Sequence, residues 1–392
     1  MKRILFVSPW MWVDGKGSGM PSVYNTLRGY VKNGYEVDFV VGTNKLNDIT
    51  MMDGITVHEV EIDGIRKDQV FDKNFSYFGV KWNLKERILN KLRWNKSISK
   101  YVKSLDTSYD IIYSITPMSA IAMSGIRARL HVWRFMGVNL TETSRSIYQY
   151  IFKFPIELLE FKALSNLSKS IKPKIIITDD DTNGDELVKN LKFSYSGFYF
   201  KRNGVEDFFD KDEKEGINNK VIFISTCRLV GWKRVDRIIR FSSELKRHIQ
   251  NFEVHLVGDG LERENLEKLA CELGVTDVVK FVGAVKRPEL KYYLNNADFY
   301  LCFLDYGQLG NSLYEAMSTG IVPVVYNTGK VSSYFSDEAI LVNDYKEAVD
   351  KINGLNNETI RSLKNKARNK IRKEHGTWEG RIDDEVKFVE ND

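Results

Sequence analysis

The sequence predicts an α/β chain of two doubly wound domains facing a central cleft. Its 392 residues exceed one ordinary core and suit two domains of roughly 150–200 residues each. Short apolar runs of strand length alternate with helical apolar periods, and the alternation runs through twice. Between the two series lies Asn203 to Asn219, a charged, glycine-bearing segment with no apolar period. The expected division is 1–202, 203–372, and a terminal helix over 373–392 packing back on the first domain.

Arg3 to Pro9 (RILFVSP) is an apolar run closed by a turn signal, the pattern of a buried parallel strand. A loop with Gly15, Gly17 and Gly19 follows it. Ser22 to Asn33 then carries Val23, Leu27, Tyr30 and Val31 at helical spacing, stops at Gly34, and gives way to a strand over Glu36 to Val41. Further strands are expected at Ile55 to Val60, Ile111 to Ser114, His131 to Phe135, Ile175 to Thr178 and Gly197 to Lys201. The second series has strands at Lys220 to Thr226, Glu253 to Val257, Val279 to Val282, Phe299 to Phe303 and Val322 to Tyr326. Between them fall helices at Asp236 to Arg247, Arg263 to Leu273, Pro288 to Asn295 and around Glu315. The charged tail is helical in composition around Leu363 to Lys373 and Trp378 to Val389.

Composition is that of an ordinary water-soluble globular protein, and a formal charge of +5 over this length gives no case for nucleic acid. From Lys81 to Lys103 eight basic residues face a single acid, Glu86, with Trp82, Leu84, Ile88, Leu92 and Trp94 interleaved. This is either a helix with its apolar stripe on the core or a surface drawn to anionic membrane or a phosphate-bearing acceptor. Cys227, Cys271 and Cys302 fit neither a disulfide framework nor a zinc site and are expected as buried thiols. With no signal-peptide pattern and no apolar run of about 18 residues, the expectation is a cytoplasmic protein, resting at most on the inner membrane face.

In open α/β sheets ligands sit at the carboxyl ends of strands. The loop after Thr226 holds Arg228 and Lys233 at the start of a helix, a pairing suited to a diphosphate. Gly258-Asp259-Gly260 follows the next strand, and Val282-Gly283 the one after. The segment from Asp305 to Met317 enters a helix, so amides around Gly310, Asn311, Ser312 and Leu313 would point at an anion, and Glu315 could accept from a ribose diol.

Asn203-Gly204-Val205, Arg228 to Lys233, Gly258-Asp259-Gly260, Phe281-Val282-Gly283 and Leu313 to Gly320 (LYEAMSTG), in this order and spacing, resemble glycosyltransferase family 4. The resemblance is best over residues 200–345. It implies the GT-B architecture and a retaining transfer from a nucleotide-sugar, UDP- or GDP-linked, to a glycan or lipid-linked acceptor in surface polysaccharide assembly, with no metal and no further cofactor. It also implies that Arg228 and Lys233 neutralise the diphosphate, Glu315 holds the ribose, and the backbone near Val282 and Gly283 meets the base. The Gly17-Ser18-Gly19 loop would close from the other domain. The family's E-x7-E pairing would place a glutamate at 307, where this chain has Gly307; Asp305 is the nearest acid. A histidine usual in the first domain is absent from Trp133 to Asn139, where Arg134 either faces the site or serves as a structural cation. A GT-B epimerase, a transferase acting on modified DNA bases, and a non-catalytic nucleotide-sugar-binding subunit remain alternatives.

Overall fold

The computed structural model describes residues 2–9, 21–42, 53–62, 84–136, 155–179, 184–206, 220–304, 309–328 and 331–391. Two all-parallel sheets organise them. The front sheet comprises β1 (Arg3–Ser8), β2 (Glu36–Gly42), β3 (Ile55–Val60), β4 (Ile111–Ile115), β5 (Leu130–Phe135), β6 (Lys174–Thr178) and β7 (Gly197–Lys201), in the order β3-β2-β1-β4-β5-β6-β7. The rear sheet comprises β8 (Val221–Thr226), β9 (Phe252–Val257), β10 (Val279–Gly283), β11 (Phe299–Cys302), β12 (Val322–Tyr326) and β13 (Ile340–Val342), in the order β10-β9-β8-β11-β12-β13. Each order reverses once, between β1 and β4 and between β8 and β11. Those two switch points are where open α/β sheets bind ligands.

The strands form because helices cover both faces, so nearly continuous apolar runs are favoured over alternation. All five residues of β4, β6 and β12 are buried. The rear core lies in two layers, one gathered around Phe223, Phe241 and Leu256 and the other around Ile224, Met317 and Ile371. The three-residue β13 and the four-residue helix Val331–Tyr334 are too short to show a period, whereas the helix Tyr345–Asn353 carries one in Tyr345, Ala348, Val349 and Ile352 that the sequence reading did not include. The helix expected from Leu363 begins earlier, at Asn357, because the Asn356 side chain accepts from the Thr359 N–H and caps it.

The basic stretch forms a helix, Leu84–Ser104, whose Trp94, Ile98 and Val102 enter the front core. Of the interleaved apolar residues, Trp94 is buried, whereas Ile88 and Leu92 are 39% and 58% exposed, so the stretch divides between its two readings. Lys81 and Trp82 lie outside the described residues. The cysteine expectation also needs correcting: Cys271 is exposed on the helix Arg263–Glu272, while Cys227 and Cys302 are half-buried, and all three are free.

The chain returns to the front lobe at its end. Trp378–Glu390 forms a helix whose Trp378, Ile382, Val386 and Val389 join the core built by Phe6, Leu27, Tyr30 and Tyr113. It lies so close to the helix Pro21–Lys32 that a Cβ on Gly29 would come within 2.3 Å of Ile382. At the crossing between lobes, Val205 N–H donates to the Gly376 carbonyl (3.0 Å) and Trp378 N–H to the Val205 carbonyl (3.1 Å). Gly204 is required there, since a Cβ would stand 2.6 Å from the Thr377 oxygen. His375 locks the same crossing: one ring nitrogen meets the Asn203 carbonyl at 3.0 Å and the other the Tyr334 hydroxyl at 2.9 Å. Among the described residues no helix is long and apolar enough to cross a membrane.

Candidate functional site

The rear switch point gathers most of the residues singled out by sequence. After β8, Gly231–Lys233 makes a single 3-10 turn, closed by Lys233 N–H donating to the Val230 carbonyl at 2.9 Å. Arg234 takes a left-handed φ of 50°, turning the chain into the helix Val235–Leu245, and its guanidinium is held by Asp236 at 2.9 Å. This fixes Lys233, whose ammonium lies 4.1 Å from the centre of the Trp232 ring. Lys233 lines a cavity of about 30 Å³ together with Thr226, Cys302, Gly310, Ser312 and Leu313. That space admits small polar groups. Burial holds the Lys233 ammonium below the ordinary lysine value, opposed by the neighbouring thiols Cys227 and Cys302. A cation in that state gains most from an incoming anion.

The far wall is the start of the helix Asn311–Ser318. Gly310 caps it in an extended conformation without any side-chain bond to the first turn. Leu313 N–H turns back to the Gly310 carbonyl at 3.0 Å, which leaves the N–H groups of Asn311 and Ser312 at the open end of the helix. The positive end of the helix dipole and Lys233 therefore face one socket. Arg228 is exposed, does not line the cavity, and acts on Lys233 through its charge.

Backbone constraints tie the remaining loops to this edge. Gly258 adopts a φ of +137°, its N–H donates to the Gly283 carbonyl at 2.8 Å, and a Cβ would stand 1.9 Å from the Cys227 oxygen. Gly283 is left-handed (φ +84°), and half-buried Val282 precedes it. Asn203 reaches from the crossing segment, its amide donating to the Asn311 side chain at 3.2 Å. Arg228, Lys233, Asn203, Gly258, Val282, Gly283 and the 310–313 segment thus all stand at or beside the carboxyl edge of the rear sheet.

Glu315 is 4% exposed and carries a partner that sequence reasoning missed. Arg287, at the start of the helix Arg287–Asn296, donates to Glu315 at 3.0 Å and pairs with Glu206 at 2.6 Å. Burial raises the Glu315 carboxyl above its usual value, with Arg287 pulling the other way. A second missed feature is Thr116, at the carboxyl end of β4 on the front switch point. It takes a φ of 101°, costly for a β-branched residue, while its hydroxyl meets the Ser119 N–H and side chain.

Arg134 resolves to the structural alternative. It is fully buried in the front lobe, bonded to Thr26 and to the Tyr113 hydroxyl (3.4 Å), and 3.7 Å from Glu385 on the terminal helix. It faces the core because β5 is a central strand with helices on both sides. Gly17, Ser18, Gly19 and Asp305 lie outside the described residues.

Residues 207–374 match the family profile described as Glycosyl transferases group 1. A GDP-mannose-dependent alpha-(1-6)-phosphatidylinositol monomannoside mannosyltransferase of Mycolicibacterium smegmatis is 32% identical over 120 residues, 29% of this chain. That match spans 31% of the relative's own length. An uncharacterized glycosyltransferase of Methanocaldococcus jannaschii is 24% identical over 344 residues, covering 83% of this chain and 80% of that one. Among solved structures, sucrose-phosphate synthase from Thermosynechococcus elongatus superposes with a TM-score of 0.74 at 16% identity, over 99% of this chain and 98% of that one. The fold is GT-B, and residues 207–374 of the rear lobe are similar to the group 1 glycosyl transferases.

Proposed function

We propose that this chain is a retaining glycosyltransferase that moves a sugar from a UDP- or GDP-linked donor to a glycan or lipid-linked glycan in surface polysaccharide assembly. The observation that carries this reading is the half-buried Lys233 sharing one socket with the open end of the Asn311–Ser318 helix. In sugar transfer the leaving group is a nucleoside diphosphate, and negative charge grows on it as the glycosidic bond breaks. Lys233, Arg228 and the amides of Asn311 and Ser312 stabilise that charge without reorganising, which is where electrostatic catalysis is strongest. Glu315 accepts from the ribose diol, the backbone at Val282 and Gly283 meets the base, and the Gly17-Ser18-Gly19 loop closes over the phosphates. Asp305 is the acid nearest in sequence to the family's missing glutamate. In the retaining route the acceptor hydroxyl enters on the leaving-group face, so no protein nucleophile is needed.

The acceptor side is supported by the Leu84–Ser104 helix. Ile88, Leu89 and Leu92 are 39%, 40% and 58% exposed among Lys91, Arg93 and Lys96, and Lys91 is tied to Glu160 at 2.7 Å beside Leu159, itself 63% exposed. Apolar side chains among cations suit an anionic membrane surface on which a lipid-linked acceptor would be met.

The test is release of UDP or GDP from a panel of nucleotide-sugars by the purified chain, with and without acceptor glycans. Acceptor-stimulated release that is lost in Lys233→Ala is expected; turnover unchanged in that variant rejects the assignment.

A further inference from the structure

A second cationic concavity lies at the opposite edge of the front sheet from the ligand-binding end. An open groove of about 580 Å³ is lined by Arg127, Arg129, His131, Lys172, Ser170 and Ser196, among others. These residues precede or begin β5, β6 and β7, so they stand at the amino ends of the strands, a strand's length away from the carboxyl edge. None of the lining residues is acidic. Among the described residues Arg127, Arg129 and Lys172 form no ion pair, whereas Arg3, Arg234, Arg247 and Arg263 each do. Arg129 acts at longer range on the Glu390 carboxylate, which closer partners already hold. Glu390 is taken by Lys2 at 2.7 Å and Tyr35 at 2.8 Å, and Asp110 accepts from the Arg3 N–H at 2.9 Å.

An independent observation comes from His131. It is 9% exposed, and its Nδ1 has no hydrogen-bond partner. Its Nε2 lies 3.1 Å from the Ile126 carbonyl, which can only accept. Nε2 therefore carries the proton, and Nδ1 of the neutral ring is a bare acceptor. Burial favours that neutral ring, holding the imidazole below its usual value. A buried acceptor without a donor is costly, and here it lines the same groove as three cations that form no close ion pair among the described residues.

We propose that this groove binds a phosphate-bearing polyol, its phosphate held by Arg127, Arg129 and Lys172 and one hydroxyl donating to His131 Nδ1. Phosphate answers the unpaired cations, and the hydroxyl answers the orphaned nitrogen. A bare inorganic anion would satisfy only the first. The site is separate from the donor socket and does not depend on the reading given to that socket.

Calorimetric titration of the whole chain with glycerol 3-phosphate, inorganic phosphate and glycerol tests it. Saturable binding of glycerol 3-phosphate is expected, several-fold tighter than inorganic phosphate, with none for glycerol, and undiminished by saturating UDP or GDP. Replacing the exposed cations together, Arg127→Gln with Arg129→Gln and Lys172→Gln, should weaken binding at least about tenfold while leaving the melting curve unchanged. His131→Phe should erase the preference over inorganic phosphate; should that buried substitution fail to fold, the triple variant decides alone. Phosphatidylglycerol vesicles that displace glycerol 3-phosphate would identify the source as a lipid headgroup, and vesicles that do not would identify a soluble or glycan-borne phosphate. Absence of saturable binding, wild-type binding by the triple variant, or displacement by nucleotide would overturn the proposal.

Discussion

Lys233 carries a desolvation cost. Burial pushes its ammonium down, with the thiols Cys227 and Cys302 pulling the other way and Arg228 adding to the burial effect, and it lies over the Trp232 ring. Lys233→Ala should therefore leave stability unchanged or slightly higher while lowering turnover by roughly 100- to 1000-fold, the range found when one charge-stabilising donor is removed. Steady-state rates beside a thermal melt would check both halves. Gly258 is constrained from the opposite direction: its φ of +137° and the 1.9 Å approach to Cys227 leave no room for a methyl. Gly258→Ala is expected to cost about 2 kcal/mol or more, measured by denaturant midpoint. His375 makes a pH prediction. Burial lowers its pKa from the ordinary 6.5 to about 4, so between those values the unfolded chain binds a proton that the folded one refuses. Stability is then full above about pH 6.5 and falls on acidification toward pH 4, by up to roughly 3 kcal/mol. His375→Gln should flatten that slope in unfolding curves taken from pH 7.5 to 4.5.

Among the elements, the helix Asn311–Ser318 matters most, and it depends on another helix to keep its carboxylate charged. Arg287 is the cation facing Glu315 within a buried setting. In Arg287→Gln, burial pushes Glu315 higher unopposed, and on the role proposed for it a protonated carboxyl would no longer offer two acceptors to a diol. The donor KM should rise about tenfold, more at acid pH, with a smaller change in kcat. That pairing was not legible in the sequence, because Arg287 opens a helix 28 positions away and nothing local announces its partner. The strands were legible, since burial on both faces writes continuous apolar runs; β13, with three residues, is too short to leave such a mark. For Arg134 the structural one of its two sequence readings holds. A cation inside LHVWRF must be paired, but Glu385 lies in another helix far along the chain. For Ile88 and Leu92 the sequence left burial and exposure both open, because periodicity says which residues share a face and not which face finds a neighbour.

For the whole molecule, the two lobes are joined by two strands of chain, around Val205 and around Thr377, bonded to each other. The terminal helix completes the front lobe with Trp378, Ile382, Val386 and Val389, and with Glu385 it supplies the acid for both Arg134 and Arg381. Glu385→Ala should cost about 3–5 kcal/mol, because it leaves a fully buried guanidinium without its counter-charge. A chain cut after Gly376 should lose the cooperative melt of the front lobe altogether, as seen by near-ultraviolet dichroism, while the rear sheet keeps its own core.

That arrangement sets an order on biogenesis. The ribosome delivers β1 to β7 first, then every strand of the rear lobe, and only afterwards the segment that roofs Phe6 and Tyr113. At about 5–20 residues per second the earlier half waits many seconds with an open apolar floor. A nascent chain of this kind is a natural client for a holding chaperone, released when translation reaches Trp378.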